Sequence, residues 1–464
     1  MRPSFSAPTR FVGNGKADFS GTVRYSLLYV GPDGRLYGAE EEMPYDFSTP
    51  LEGLGAGEEL TLWAELLPDA VISRVAAPRR LSLRCRLHAR IKGYAMQELA
   101  PRLSGDAEGE PLQLCGIGSA AAVFAGAGEC VELSDTVVTD QGGEMRIVSC
   151  GAECFLPEIM AGEGIVRCKG EVVCTLLCVR ESEGAEGEPF VLSKRIPFEE
   201  TVPVEGATPG CDALAVGTVE AASATAEEGG AQIAVRLSLE ARARREEALC
   251  YTRDLFLPGA TAECRYGTER VMHHGQCANR NFSFFGEKTV QEAGLPATAE
   301  VVCAVAEAEL KEHAAENGHT AMSGEALCHI LYKNGKEYGV AETAVPFRAV
   351  LDGAWSELEG RVAVPLLRVS VSGEKLRVDG ELQTSILAGE IEEIKRVSEA
   401  AFVPVRTAPR AGMEICYPKA GETLWEVAKR SGIPPQTLAM ANGISAEAPG
   451  EDDSLAGVRY VVLP

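Results

Sequence analysis

Nowhere does this chain carry an apolar run of about 18 residues, the least that crosses a bilayer as a helix, so no membrane span is expected. Its opening residues, MRPSFSAPTRFVGNGKADFS, lack the apolar core of a secretory signal. Bases are in deficit, 44 against 68 acids, for a formal charge of −24 and a pI near 4.8. Such a field repels phosphate backbones and anionic lipid, so nucleic acid is not an expected partner. Catalytic signatures are missing as well. There is no nucleophile elbow and no H-E-x-x-H, and the six histidines sit in no recognisable local motif.

Cysteine, by contrast, is plentiful. Fifteen are scattered through the chain, an odd number with no tight framework of the kind a small secreted fold uses. In a reducing cytosol they serve as small apolar side chains, and a cytoplasmic location is expected. With 464 residues, 45% of them hydrophobic, the chain has enough apolar side chains for about three or four cores.

One pattern recurs at long period. SGTVRYSLLYV (20–30), KGEVVCTLLCV (169–179) and SGEALCHILYK (323–333) align without a gap. Gly21, Gly170 and Gly324 lead them, and Leu28, Leu177 and Leu331 fall in register. Their β-branched and aromatic content predicts strands. A turn follows each: GPDG (31–34), ESEGAEG (181–187) and KNG (333–335). Then comes a proline–aromatic pair, Pro44-Tyr45, Pro197-Phe198 and Pro346-Phe347, expected at sheet edges or strand ends because proline lacks a ladder donor. LSLRCRLHARI (81–91), IAVRLSLEARA (233–243) and LRVDGELQTSI (376–386) close the copies with period-two strands, each with one wet face.

The intervening stretches read less clearly. GIGSAAAVFAGAGE (116–129) and the irregular-looking residues 259–281 are consistent with inter-module strands or loops, whose pairing the sequence does not settle. Residues 395–412, with two late prolines, read as a linker.

From residue 413 the period changes. Thr423 and Glu426 form a capping box ahead of Leu424, Val427 and Ala428. Gly432 supplies the stop, and Pro434-Pro435 open a second helix with Leu438 and Ala441 on its inner face. Asn442-Gly443 ends it, and residues 457–464 read as a closing strand. The predicted fold is therefore mainly β: three tandem antiparallel β-sandwich or barrel-like repeats, then a small βααβ domain. The expected boundaries are 1–98 for the first repeat, 99–249 for a linking segment and the second, and 250–400 for a linking segment and the third. A linker (401–412) and the terminal domain (413–464) complete the chain.

Gly421-Glu422-Thr423-Leu424-Trp425, Val427-Ala428, Gly432, Leu438, Asn442 and Leu455…Gly457…Pro464 resemble a LysM domain. That resemblance implies a shallow groove for N-acetylglucosamine polymers. One wall would be Gly421, Glu422, Thr423 and Leu424, and the other Asn442, Gly443 and Ile444. Glu422 stands where the family usually has Asp, Cys416 and Pro418 where it has Tyr and Val, and SAEAPGEDDS (445–454) is an acidic insertion. The β copies resemble the SPOCS repeat of endospore-forming bacteria, and three copies plus a C-terminal LysM resemble SipL-like spore-coat morphogenesis proteins. This implies a non-enzymatic scaffold in the mother-cell cytoplasm at the forespore surface, its LysM docking a coat morphogenetic ATPase of the SpoIVA type. The alternative is a protein binding peptidoglycan or N-acetylglucosamine at the wall or spore cortex. No cofactor and no metal is expected.

Weaker motifs have plainer readings. Gly116-Ile117-Gly118-Ser119-Ala120-Ala121 imitates a dinucleotide fingerprint, with Asp135 beyond it, but no βαβ rhythm surrounds it. Cys264, His273, His274 and Cys277 lack paired C-x-x-C knuckles. Cys174 and Cys178 share a strand face and read as packing. Arg84–Arg90 and Arg242–Arg245 read as solvated sheet faces, or else as docking stripes for an acidic partner.

Overall fold

The computed structural model describes all residues except 1, 14, 52–59, 78–79, 96–98, 107, 140–143, 183–184, 406–411, 445–454 and 456. The ordered elements open with β1 (Arg2–Phe5), β2 (Thr9–Gly13), β3 (Lys16–Val30), β4 (Leu36–Pro50), β5 (Leu60–Ala77) and β6 (Arg80–Ala95). There follow β7 (Arg102–Gly105), β8 (Leu112–Ala127), β9 (Val131–Val138), β10 (Met145–Ala161), β11 (Ile165–Ser182), β12 (Ala185–Pro203), β13 (Asp212–Glu227) and β14 (Gly230–Phe256). The third group is β15 (Ala260–Thr289), β16 (Glu300–Glu316), β17 (His319–Asn334), β18 (Glu337–Asp352), β19 (Glu357–Ser372) and β20 (Lys375–Pro404). The chain closes with β21 (Glu414–Cys416), α1 (Leu424–Ser431), α2 (Pro435–Asn442) and β22 (Val461–Leu463). The protein is thus mainly β with two short helices near its C-terminus. No described helix is long and apolar enough to cross a membrane.

Each copy builds one antiparallel sheet around its aligned strand. β3 takes β4 on one edge and β1 then β2 on the other; β11 lies between β10 and β12, and β17 between β16 and β18. The leading glycines explain themselves here. Gly21 pairs with Tyr45, Gly170 with Phe198 and Gly324 with Phe347. Opposite each glycine, on the other side, the preceding strand is interrupted: β1 gives way to β2, and β10 and β16 carry register shifts between Phe155 and Glu158 and between Leu310 and Glu312. A Cβ on Gly324 would lie 2.1 Å from the Glu309 carbonyl oxygen and 2.5 Å from the Phe347 ring; on Gly170 it would lie 2.3 Å from the Phe155 carbonyl oxygen. Only glycine leaves room for a bulge and a ring to converge. The prolines beside those rings lie within β4, β12 and β18, each bonded to one neighbour among the described residues. They occupy edges, mid-strand.

Hairpins β5–β6, β13–β14 and β19–β20 supply the second layers. In the second copy Val172, Cys174, Leu176 and Cys178 of β11, all fully buried, pack with Ile233, Val235 and Leu237 of β14. The third copy repeats this with Cys328 and Ile330 of β17 against Leu376, Val378 and Leu382 of β20.

Two open readings resolve as strand and one expectation is corrected. Residues 116–127 are part of β8, which pairs with β14. Residues 260–281 belong to the 30-residue β15. β20 runs on to Pro404, so the expected linker is strand over residues 395–404, and 406–411 lie outside the described residues.

The chain forms two compact units. One comprises Met1–Met96, Ala122–Arg245 and Gly275–Glu390 and holds the three copies; the other comprises Gln97–Ala121, Glu246–His274 and Ile391–Pro464. In the latter, β7 runs parallel to β20 through Arg102 to Gly105, and Leu255, Leu257, Val397, Ala400 and Phe402 form a buried cluster. It also contains the helical C-terminal module.

Candidate functional site

Local chemistry fixes the C-terminal module. The Thr423 hydroxyl accepts from the Glu426 N–H while the Glu426 carboxylate accepts from the Thr423 N–H, so α1 starts at a reciprocal cap. Gly432 ends it with φ +65°, and Gly443 ends α2 with φ +64°. Pro435 occupies the first turn of α2. Leu424, Val427, Ala428, Leu438 and Val461 are fully buried, and Leu463 is buried beside them, under the two-stranded sheet of β21 and β22. The inner face of α2 is Pro435, Leu438 and Ala439; Ala441, expected there, is exposed. The closing strand occupies only Val461–Leu463 of the expected 457–464.

The seven groove residues fall into two classes. Glu422 accepts from the Lys419 N–H at 2.8 Å and pairs with Arg430 at 3.1 Å, leaving its side chain 10% exposed. Thr423 caps α1. Leu424 is fully buried. The Asn442 amide donates to the carbonyls of Leu438 and Val462 and accepts from the Val462 N–H at 2.7 Å, tying α2 to β22. These four side chains hold the module together. Gly421 and Gly443 are exposed, with φ of +80° and +64°. Ile444 is half-buried against the module core. The acidic insertion 445–454 lies outside the described residues.

What α1 rests on is not encoded in any local motif. The Trp425 indole N–H donates to Asp254 Oδ2 at 2.9 Å, and Lys429 Nζ donates to Asp254 Oδ1 at 2.6 Å. The Trp425 ring meets Phe256 edge-on, with centroids 5.1 Å apart, and Leu112 and Leu114 of β8 complete the contact. Burial pushes the Asp254 carboxyl upward, but the hydrogen bonds from Lys429 and Trp425 outweigh it and hold the group below its usual range. Tyr266 also donates to Asp254, at 3.3 Å; burial and that neighbouring charge push its phenol up to about 12. The module is seated on the ends of β8 and β14. Tryptophan at 425 reads as core; its acceptor, 171 residues upstream, sits in no motif.

A second feature also escaped the sequence. Ile415 of β21, opposite Val462, is 52% exposed, and Met413, Tyr417 and Tyr460, next to the ends of β21 and β22, are 78%, 71% and 54% exposed. Met440 on α2 is 84% exposed.

The remaining candidates resolve differently. Gly116 to Ala121 lie in β8, with Ser119 donating to Glu246 at 2.6 Å; this is no phosphate-binding turn into a helix. Among the described residues, no three His, Cys, Asp or Glu side chains gather as a metal site requires, so Cys264, His273 and Cys277 form none. Arg84, Arg86 and Arg90 face solvent on β6. Arg242 and Arg244 do not: they are 1% and 4% exposed, which corrects the reading of a solvated face. Arg242 pairs with Glu359 and stacks 4.0 Å from the Trp63 ring, and Arg244 donates to the Gly275 carbonyl at 2.6 Å. A cavity of about 280 Å³ lies nearby, lined by Trp63, Leu62, Arg10 and Glu240 among others. Its two charged residues are bonded to each other at 2.6 Å.

Residues 419–448 match the LysM domain family, a carbohydrate-binding and non-catalytic module. No curated protein and no solved structure matches the chain.

Proposed function

We propose that the protein is a non-enzymatic adaptor whose LysM domain docks a protein partner. The supporting observation is the exposed surface around the terminal sheet. Met413, Ile415, Tyr417 and Tyr460, on and beside β21 and β22, expose apolar and aromatic surface, the composition of interface cores rather than of solvated strands. Beside it, four of the seven groove side chains are engaged within the domain, which leaves Gly421, Gly443 and Ile444 as its free contact points. The three β copies supply a multivalent body, and several modest contacts on one chain raise the effective concentration of each. The resemblance of those copies to SPOCS repeats carries the finer reading: a spore-coat assembly scaffold in the mother-cell cytoplasm at the forespore surface, docking a coat morphogenetic ATPase.

The LysM match itself favours a second reading, binding of peptidoglycan or another N-acetylglucosamine glycan. Two parallel pull-downs of the full-length protein separate them, one with insoluble peptidoglycan and one with a purified coat morphogenetic ATPase. Docking predicts retention by the ATPase, lost in Tyr417→Ser/Tyr460→Ser and weakened in Ile444→Ala, all with unchanged circular dichroism. Retention on peptidoglycan without the ATPase, indifferent to the tyrosine pair, would reverse the order.

A further inference from the structure

Two exposed cysteines, Cys115 and Cys250, lie on the strands that seat the LysM domain. Their register follows from two side-chain contacts. The Thr252 hydroxyl donates to Gln113 Oε1 at 2.7 Å, and the Ser119 hydroxyl donates to Glu246 Oε1 at 2.6 Å. Six residues forward along β8 is six residues back along β14, so the strands are antiparallel here. Two residues on from Gln113 and two back from Thr252, Cys115 faces Cys250 as a directly opposed pair on one face. The two thiols lie close enough for each to act on the other's ionisation. Opposed residues of antiparallel strands hold their Cα atoms about 4.5–5.5 Å apart, inside the range of about 4.4–6.8 Å that a disulfide requires.

The other thiols set a contrast. Cys168, Cys174, Cys178 and Cys328 are buried in the sheet cores, where burial pushes them up to about 11 or 12 and no oxidant reaches them. Cys115 and Cys250 combine exposure with an opposed partner, and Leu114 and Asp254, which touch the LysM domain, lie one and four residues away along the same strands.

We propose that Cys115 and Cys250 are a reversible oxidation site, closed to a cross-strand disulfide by a small-molecule disulfide such as oxidised glutathione. One thiolate attacks a glutathione sulfur; the S–S bond breaks and glutathione leaves as a thiolate that takes up a proton. The second protein thiol loses its proton, attacks the protein sulfur of the mixed disulfide and expels the second glutathione. The protein gives up two electrons and two protons, and oxidised glutathione becomes two thiols. Burial and the neighbouring thiol raise Cys115 above its ordinary range, so closure accelerates as pH rises and the thiolate fraction grows.

The test uses the full-length protein in glutathione buffers of rising oxidised fraction, with alkylation, digestion and mass mapping. The expected first cross-link joins the Cys115 and Cys250 peptides, with loss of two hydrogens and full reversal by dithiothreitol. Oxidised wild type should unfold at a higher temperature than reduced, a shift absent in Cys115→Ser. Free alkylated thiols at both positions under fully oxidised glutathione, separate glutathione adducts that persist on each, or a thermal shift retained in Cys115→Ser would each overturn the site.

Discussion

Glycine at 324 illustrates how much one hydrogen atom can decide. Its missing Cβ is the space in which the Glu309 carbonyl and the Phe347 ring both stand. Gly324→Ala must displace one or both, and overpacking of this kind costs about 1–3 kcal/mol. Gly118→Ala is the natural control, because nothing lies within 4 Å of its would-be Cβ; its effect should stay within roughly 0.5 kcal/mol. Urea unfolding of the two variants beside wild type checks the contrast, and equal effects would remove the packing explanation. Asp254 is a different kind of determinant, since its charge matters as well as its shape. Its carboxyl is held below its unbound value of 3.8, so its contribution is complete above that value and vanishes as pH falls through the lower folded value. Asp254→Ala leaves the Trp425 N–H and the Lys429 ammonium without their acceptor, a loss of about 1–3 kcal/mol. Hydrogen exchange of α1 at neutral pH should speed up, while the buried strands of the β copies should not change.

At the level of elements, the strands that alternate were legible and those that do not were left open between strand and loop. β3, β11 and β17 announce themselves through β-branched and aromatic residues between glycine turns. β8 offers Gly116, Gly118 and a run of alanines, and β15 carries polar and charged residues along its length, so neither has the periodicity that marks a half-buried strand. Their strand character comes from neighbours, β14 and β20, which no local pattern encodes. The helices show the converse. Every signal that starts or stops α1 is local, and each holds; the choice of Ala439 over Ala441 depends on where β22 lies and was not readable. The groove suffers the same ambiguity, because Thr423 and Asn442 are family positions that also serve the fold. Thr423→Ala should cost about 1 kcal/mol through loss of the cap alone. Weaker binding by that variant is therefore uninformative unless Ile444→Ala, which breaks no hydrogen bond, weakens binding too. Thermal melts run beside the binding curves decide which loss is being measured.

At the scale of the whole molecule, a single buried ion pair draws on all three copies. Arg242 comes from the second, Glu359 from the third, and Trp63 and Tyr94, which stack on the guanidinium and donate to the carboxylate, from the first. Alternation along β14 would have left Arg242 wet, and only the arrival of the other copies buries it. Among the described residues its Nε and Nη2 find no hydrogen-bond acceptor, so the Trp63 face carries much of the compensation for desolvating the charge. Such a pair favours one arrangement of the copies more than it adds net stability, since a well-packed apolar replacement of both partners is often neutral or better. Glu359→Met alone should strand the arginine and cost about 3–5 kcal/mol. Adding Arg242→Met should recover most of that loss, which urea unfolding of the two single variants and the double variant measures directly. If the double variant unfolds as readily as Glu359→Met, the charge was never the problem, and the cation–π stack on Trp63 is what joins the copies.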